Sequence, residues 1–320
     1  MSDRTVLALL PPAPDPPARG LPREGLCIEQ ARRYRLRERI GEGGMGTIWR
    51  ATDEALEREV AIKFLKRDVP VDYRRRFRRE ARLGASFDHA NLTRVFDAGT
   101  RLADGDDWMA MELLHGHDLG ALLEAHGRLG VPVLLDVFRQ ALDALEYVHG
   151  QRVLHRDIKP YNLFLARTPT RAGFVVKLID FGIARVLAGP EPVDTQLIGD
   201  PRYMAPEQTV LGGPLDPRAD LYALGLSLVQ AATGHHPFFA LFQAPVSALL
   251  EGHRRGLPWR PSSALPGGLP RAFAEAFDAF LDQACAVEVE GRFADAAAMR
   301  AGLEQLAAAA GRPLPSPRVV

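Results

Sequence analysis

The sequence has little cysteine: Cys27 and Cys285 are the only two in 320 residues. They stand far apart and in no ligand spacing, which removes a disulfide framework and a zinc site from consideration and fits a reducing compartment. Long apolar runs are also missing. Without some 18 consecutive apolar residues, nothing here is expected to span a membrane as a helix. The run VLALL (6–10) lacks the length and the basic flank of a signal peptide. Nor is there an excess of one charge: 40 Lys and Arg balance 40 Asp and Glu, so no global field draws the chain to nucleic acid or an anionic membrane. The expectation is a cytoplasmic protein with no membrane span and no nucleic-acid partner.

What is present is an ordinary globular composition, 47% hydrophobic and 25% charged. Residues 1–33 are rich in Pro, Arg and Gly (LLPPAPDPPARGLPREG) and lack periodicity, so they are expected to form a disordered leader, a plausible handle for a partner protein. Residues 307–320, ending GRPLPSPRVV, are expected to be a flexible tail. Between them the pattern changes near residue 114. Segments YRLRERI, GTIWRAT, EVAIKFL, TRVFDAG and DWMAMEL read as strands, interrupted by one charged helix, VDYRRRFRREARLGAS. After 114, LLDVFRQALDALEYVHG, DLYALGLSLVQAATG and RAFAEAFDAFLDQACAV place apolar residues at helical spacing. The fold class is therefore α+β: a small antiparallel β-sheet lobe with one helix (34–113), a larger mainly α-helical lobe (114–306), and a cleft expected between them.

Four stretches carry chemistry. IGEGGMGTIW places Gly41, Gly43 and Gly46 in G-x-G-x-x-G spacing, with Ile48 following. Such glycines often mark only a hairpin; alternatively, bare backbone lets N–H groups approach a polyphosphate. More strand follows, which departs from the Rossmann pattern, and no GK[ST] follows either. EVAIKFL puts Lys63 inside an apolar strand, where an ammonium needs a partner; Glu80 in the next helix is a candidate. VLHRDIKPYNLF sets Asp157, Lys159 and Asn162 between greasy flanks, and VVKLIDFGIAR sets Asp180 at a strand end. A carboxylate and an amide of this kind suit Mg²⁺ together with substrate phosphates.

GEGGMGTI, VAIK, HRDIKPYN, DFG and APE, in this order over about 34–306, resemble the signature set of protein kinases, most closely the bacterial serine/threonine branch. The resemblance implies a bilobal protein-kinase fold and transfer of the γ-phosphate of ATP to Ser or Thr of protein substrates, with Mg²⁺ or Mn²⁺ as metal. It implies that Gly41, Gly43 and Gly46 cover the phosphates and that Lys63, paired with Glu80, contacts them. Asp157 would orient the acceptor hydroxyl, Lys159 would steady the γ-phosphate, and Asn162 and Asp180 would hold metal. Ile40, Ile48 and Ala61 would line the adenine side, with Met111 as gatekeeper and the backbone of Glu112 and Leu114 facing the base. Arg156 would receive a phosphate on Thr195. Glu207 with Arg292, and Asp220 beneath the catalytic loop, would be structural.

Three departures stand out. Where the family has Gly-Thr before P-x-Y-M-A-P-E, this chain has Gly199-Asp200. Asp200 could salt-bridge Lys159, and is expected to add like charge beside Asp157 and raise a carboxylate pKa there. Gly84, one turn after Glu80, is expected to cost the helix up to about 1 kcal/mol and leave it mobile. Tyr161 in the catalytic loop is unusual. The alternatives to an active kinase are a nucleotide-binding scaffold disabled by Asp200, and a small-molecule phosphotransferase on the same fold.

Overall fold

The alternation in EVAIKFL organises the smaller of two units. The computed structural model describes residues 22–28, 33–43, 46–100, 105–168, 173–181, 199–210 and 216–311, with the backbone alone at 185–186. One compact unit comprises the residues up to Asp88 and Thr93–His115; the other comprises His89–Leu92 and the chain from Gly116.

The first unit is a six-stranded antiparallel sheet in the order β1–β2–β3–β4–β6–β5. Its strands are β1 (Cys27–Ile28), β2 (Tyr34–Glu42), β3 (Gly46–Asp53), β4 (Arg58–Leu65), β5 (Val95–Thr100) and β6 (Asp107–Glu112), with α1 (Val71–Ser86) between β4 and β5. Val60, Ile62 and Phe64 turn to one face and join Tyr34, Leu36, Trp108 and Ala110 in a core. Ala61, Lys63 and Leu65 take the opposite face, as a two-residue period requires. There Leu65 and Met109 pack on Phe77 and Ala81 of α1. The buried residues of α1 are Phe77, Glu80, Ala81 and Gly84, one helical stripe.

The leader expected over 1–33 includes residues that belong to this sheet. Cys27 and Ile28 pair with Arg35 and Tyr34, and Ile28 is buried in the core. Two residues are too few for a period to show. The smaller unit also runs to His115 rather than 113, and His89–Leu92 leave it for the larger one. Hydrogen bonds explain the exchange: Asn91 Nδ2 donates to Gln140 Oε1 at 3.0 Å and to Val176 O at 2.8 Å, and its carbonyl accepts from Leu178 N at 2.8 Å.

The second unit contains α2 (Leu119–His126), α3 (Val131–Gly150), α4 (Arg218–Thr233), α5 (Val246–Arg255), α6 (Arg271–Ala284) and α7 (Ala296–Ala309). β7 (Gly116–Asp118), β9 (Leu163–Arg167) and β10 (Phe174–Leu178) form a small sheet in the order β10–β9–β7; β8 (Val153–Leu154) pairs with β11 (Arg185–Val186). Helix α4 is apolar on nearly every side and is buried on nearly every side. Helix α7 continues past the expected boundary at 306, because Leu306 and Ala307 are buried. Among the described residues no helix is long and apolar enough to cross a membrane.

Candidate active site

In the first unit, sheet register gathers the expected nucleotide-facing residues. Gly41 pairs with Ile48, Ile48 with Lys63, and Lys63 with Met109; beside that row Ala61 pairs with Met111. Paired residues share a face, so Ile48, Ala61, Lys63 and Met111 lie on the side away from the Trp108 core. Lys63 Nζ reaches across to α1 and meets Glu80 Oε1 at 2.8 Å and Oε2 at 3.1 Å, as expected. Both side chains are largely buried, 22% and 11% exposed, so the pair is the condition for placing charge here. Ile40 falls in an irregularity between Arg39 and Gly41, takes no partner in the β2–β3 register, and is 36% exposed. The Glu112 amide donates to Arg94 O at 3.0 Å, so a base contact at this residue would use its carbonyl. Leu114 lies just beyond β6 and is half-buried.

The three glycines are not equivalent. A Cβ on Gly46 would lie 2.1 Å from Phe64 O, so the sheet itself demands glycine there. A Cβ on Gly41 would make only ordinary contact with Ile48, and one on Gly43 would meet nothing within 4 Å. Packing therefore explains Gly46 and leaves Gly41 and Gly43 to another cause.

In the second unit, the loop 155–162 is held from below. Asp220, in the first turn of α4 and 1% exposed, accepts the His155 amide at 2.9 Å and the Arg156 amide at 2.8 Å. His149 Nε2 lies 2.8 Å from its Oδ2. Burial disfavours the Asp220 charge, but the His149 bond and its neighbours overcome this and bring its pKa below the usual carboxylate range. These bonds hold Arg156 at φ +69°, a left-handed conformation that costs a non-glycine residue about 1 kcal/mol or more. His155 is buried, with Nε2 3.0 Å from Ile179 O, Nδ1 accepting the Asp157 amide at 3.3 Å, and its ring edge-on to Phe181 at 4.7 Å.

The expected catalytic trio converges. Lys159 Nζ lies 2.8 Å from Asp157 Oδ2, and Asn162 Nδ2 donates to Asp157 Oδ2 at 3.0 Å and to its carbonyl at 2.7 Å. With its NH₂ committed to Asp157, Asn162 offers Oδ1 to a cation. The β9–β10 ladder pairs Leu163 with Leu178, and Ile179 N donates to Asn162 O at 3.0 Å. That register delivers Asp180 beside the loop end; it is exposed, with φ +65°. A hard amide oxygen and a carboxylate fit Mg²⁺ that takes its other ligands from phosphate and water. Among the described residues no cluster of three His, Cys, Asp or Glu forms a metal site without a substrate.

Asp200 meets Lys159 as expected, with Nζ 3.9 Å from its Oδ2, but its main partner is one the sequence did not show: Arg202 Nε donates to Asp200 Oδ1 at 2.8 Å. Burial works against the Asp200 charge, but the Arg202 bonds, with Lys159, bring its pKa below the usual value. Gly84 also departs from expectation. A Cβ there would lie 2.5 Å from Val95 Cγ2, so glycine is a close-packing choice against β5 rather than a weak point. Tyr161 acquires a role: its ring packs on Gly120 of α2, and its hydroxyl donates to Glu124 Oε1 at 2.7 Å. Burial and Glu124 raise its pKa to about 12. Glu207 and Arg292 pair as expected, Nη1 to Oε1 at 2.8 Å and Nη2 to Oε2 at 2.7 Å. Thr195 lies outside the described residues.

Sequence reasoning missed Asn91, Gln140, His149 and Arg202. The first three act through long-range hydrogen bonds that leave no period; Arg202 was legible only as a cation two residues from an unusual Asp.

The protein kinase domain family matches residues 34–301, and the chain belongs to it. Among curated relatives it is similar to serine/threonine-protein kinase PknA of Mycobacterium tuberculosis, 36% identical over 290 residues, 88% of this chain and 64% of PknA. It is also similar to serine/threonine-protein kinase PksC of Streptomyces coelicolor, 37% identical over 279 residues, 84% of this chain and 48% of PksC. The chain thus spans less than two thirds of the length of these relatives. The crystal structure of a double mutant of the Mycobacterium tuberculosis PknI kinase domain matches with a TM-score of 0.67 and 25% identity, covering 89% of this chain and 99% of that one. The kinase fold class read from the sequence is the observed one.

Proposed function

We propose that this chain is a Mg-ATP-dependent protein kinase that phosphorylates Ser or Thr hydroxyls. The observation that carries the reading is the Asp157–Lys159–Asn162 arrangement in a loop pinned by Asp220. Phosphoryl transfer needs positioning and charge neutralisation more than covalent participation. Asp157 aims the acceptor hydroxyl and takes its proton; Lys159 and Lys63 supply positive charge to phosphate oxygens; Glu80 keeps Lys63 in place. Gly41 and Gly43, which packing does not require, present bare backbone to phosphates. Ile48, Ala61 and Met111 offer an apolar surface to adenine, with the Glu112 carbonyl and the Leu114 backbone at its edge. Asn162 and Asp180 would hold Mg²⁺, which supplies neutralisation of charge on the transferring phosphoryl group.

The test uses ATP labelled at the γ-phosphate, with the protein alone and with a generic basic protein. Label on Ser or Thr is expected, lost with Asp157→Ala although nucleotide affinity is retained. A wild-type protein that binds nucleotide and transfers no label overturns the reading in favour of a scaffold. In the same reading Thr195 is an autophosphorylation site whose phosphate pairs with Arg156. A phosphopeptide map of active protein with Thr195 unmodified would exclude it.

A further inference from the structure

One charged residue beside the catalytic loop has no part in that reading. Arg202 donates from Nε to Asp200 Oδ1 at 2.8 Å, from its own amide to the same oxygen at 3.1 Å, and from Nη2 to Oδ2. The Phe242 ring, 5.7 Å away, borders the guanidinium on a further side. Asp200 in turn faces the catalytic base: its amide donates to Asp157 Oδ1 at 3.2 Å. Two carboxylates therefore stand around one ammonium, and Lys159 divides itself unequally, 2.8 Å from Asp157 and 3.9 Å from Asp200.

The unequal division has a physical cause. A carboxylate gripped at both oxygens by a planar guanidinium has little need of a second cation. An unpaired Asp200 would compete for Lys159 and draw it away from Asp157. Asp157 Oδ1 already accepts the residue-200 amide, a bond that does not depend on the side chain there, which leaves only the side-chain charge to be neutralised.

We infer that Arg202 is a positioning residue for phosphoryl transfer: its grip on Asp200 keeps Lys159 on Asp157, so that Gly199-Asp200 serves where the family pattern has Gly-Thr. This role rests on the kinase reading above. It predicts that Arg202 matters only while residue 200 is a carboxylate.

The experiment measures kcat and KM for ATP in Arg202→Ala, Asp200→Thr and the double variant. Misplacing Lys159 in Arg202→Ala is expected to lower kcat about 10- to 100-fold, with KM for ATP little changed. Asp200→Thr/Arg202→Ala, which lacks the competing carboxylate, should match Asp200→Thr and recover most of the Arg202→Ala loss. The pH profile adds a signature. The groups facing Asp200 are Asp157, Lys159, Arg202 and Tyr203, with His236 on a neighbouring element, while Tyr161 faces Arg202. Without Arg202, protonation of Asp200 removes the competing charge, so the Arg202→Ala deficit should narrow as pH falls. A packing defect would give a deficit flat with pH and a double variant as impaired as Arg202→Ala; either result overturns the role. Should Arg202→Ala melt below the assay temperature, Arg202→Lys carries the test, with a smaller loss and the same rescue. If wild type transfers no phosphate, the kinase reading falls and takes this role with it; an active wild type indifferent to Arg202 sinks this role alone.

Discussion

Arg292 and Glu207 face each other through two parallel hydrogen bonds, and the arginine is 3% exposed. Arg292 also donates from Nε to Ala286 O at 2.9 Å and from Nη2 to Val287 O at 3.1 Å, and lies against the Tyr222 ring. Removing one partner strands the other charge. Glu207→Ala is expected to destabilise the fold by about 3–5 kcal/mol, read from denaturant midpoints at constant m-value. A loss below about 1 kcal/mol would mean that the surrounding carbonyls suffice for the guanidinium.

The contact between Gly84 and Val95 reverses an ordinary expectation. In an exposed helix, Gly→Ala stabilises by about 1 kcal/mol. Here the added methyl would sit 2.5 Å from Val95 Cγ2, and overpacking of this kind costs about 1–3 kcal/mol. Gly84→Ala should therefore lower the melting temperature, and Val95→Ala in the same chain should restore part of it. A stabilised single variant would show that β5 yields freely.

These two positions mark what the sequence tells and what it hides. Period alone placed β2 to β6, α1 and the helical character of the larger unit, because alternation and helical stripes report burial directly. The meeting of Asp157, Lys159 and Asn162 was legible because their spacing is local: the three share one loop. What was not legible depends on space or distance. Whether a glycine is a defect or a close approach is decided by Val95, eleven residues on. Which cation takes up the Asp200 charge is decided by the direction in which the Arg202 fork points. The exchange of His89–Leu92 between units is decided by Asn91, whose partners lie far along the chain.

Asp220 offers a third prediction. Asp220→Ala strands the buried His155 amide, at a cost of about 1–3 kcal/mol, together with the half-buried Arg156 amide, and releases Arg156 from its left-handed conformation. Stability should fall by that order, and kcat should fall further than nucleotide affinity, since the strands proposed to face the nucleotide belong to the other unit. Isothermal calorimetry set beside turnover separates the two effects. Loss of affinity with kcat retained would contradict the assignment of Asp220 to the loop.

The fourth concerns acid. Burial pushes the pKa of His253 down to about 4 and that of His236 down to about 3, from 6.5. His253 is tied in its neutral form, with Nδ1 2.9 Å from the Tyr222 hydroxyl and Nε2 3.0 Å from Pro201 O. A folded pKa below the unfolded one means that the unfolded chain binds the proton first. Their contribution is thus complete above pH 6.5 and is lost as pH falls toward 4. Between pH 6.5 and 5.5 each histidine should cost about 1 kcal/mol of stability. His253→Gln should flatten the slope of stability against pH over that interval; an unchanged slope in this variant would mean that His253 takes up its proton equally in both states.

The β9–β10 hairpin works as a ruler. Leu163 opposite Leu178 fixes how far along the chain Asp180 emerges from Asn162, and strand pleating fixes the side on which each residue appears. One residue inserted within Leu163–Arg167 would slide every later pair and hand the position of Asp180 to a neighbour of the wrong chemistry. Additions between Arg167 and Phe174 leave the graduations untouched. Length is therefore constrained in ten paired positions and tolerated between Arg167 and Phe174, so drift among relatives of this chain should accumulate there and spare the paired strands.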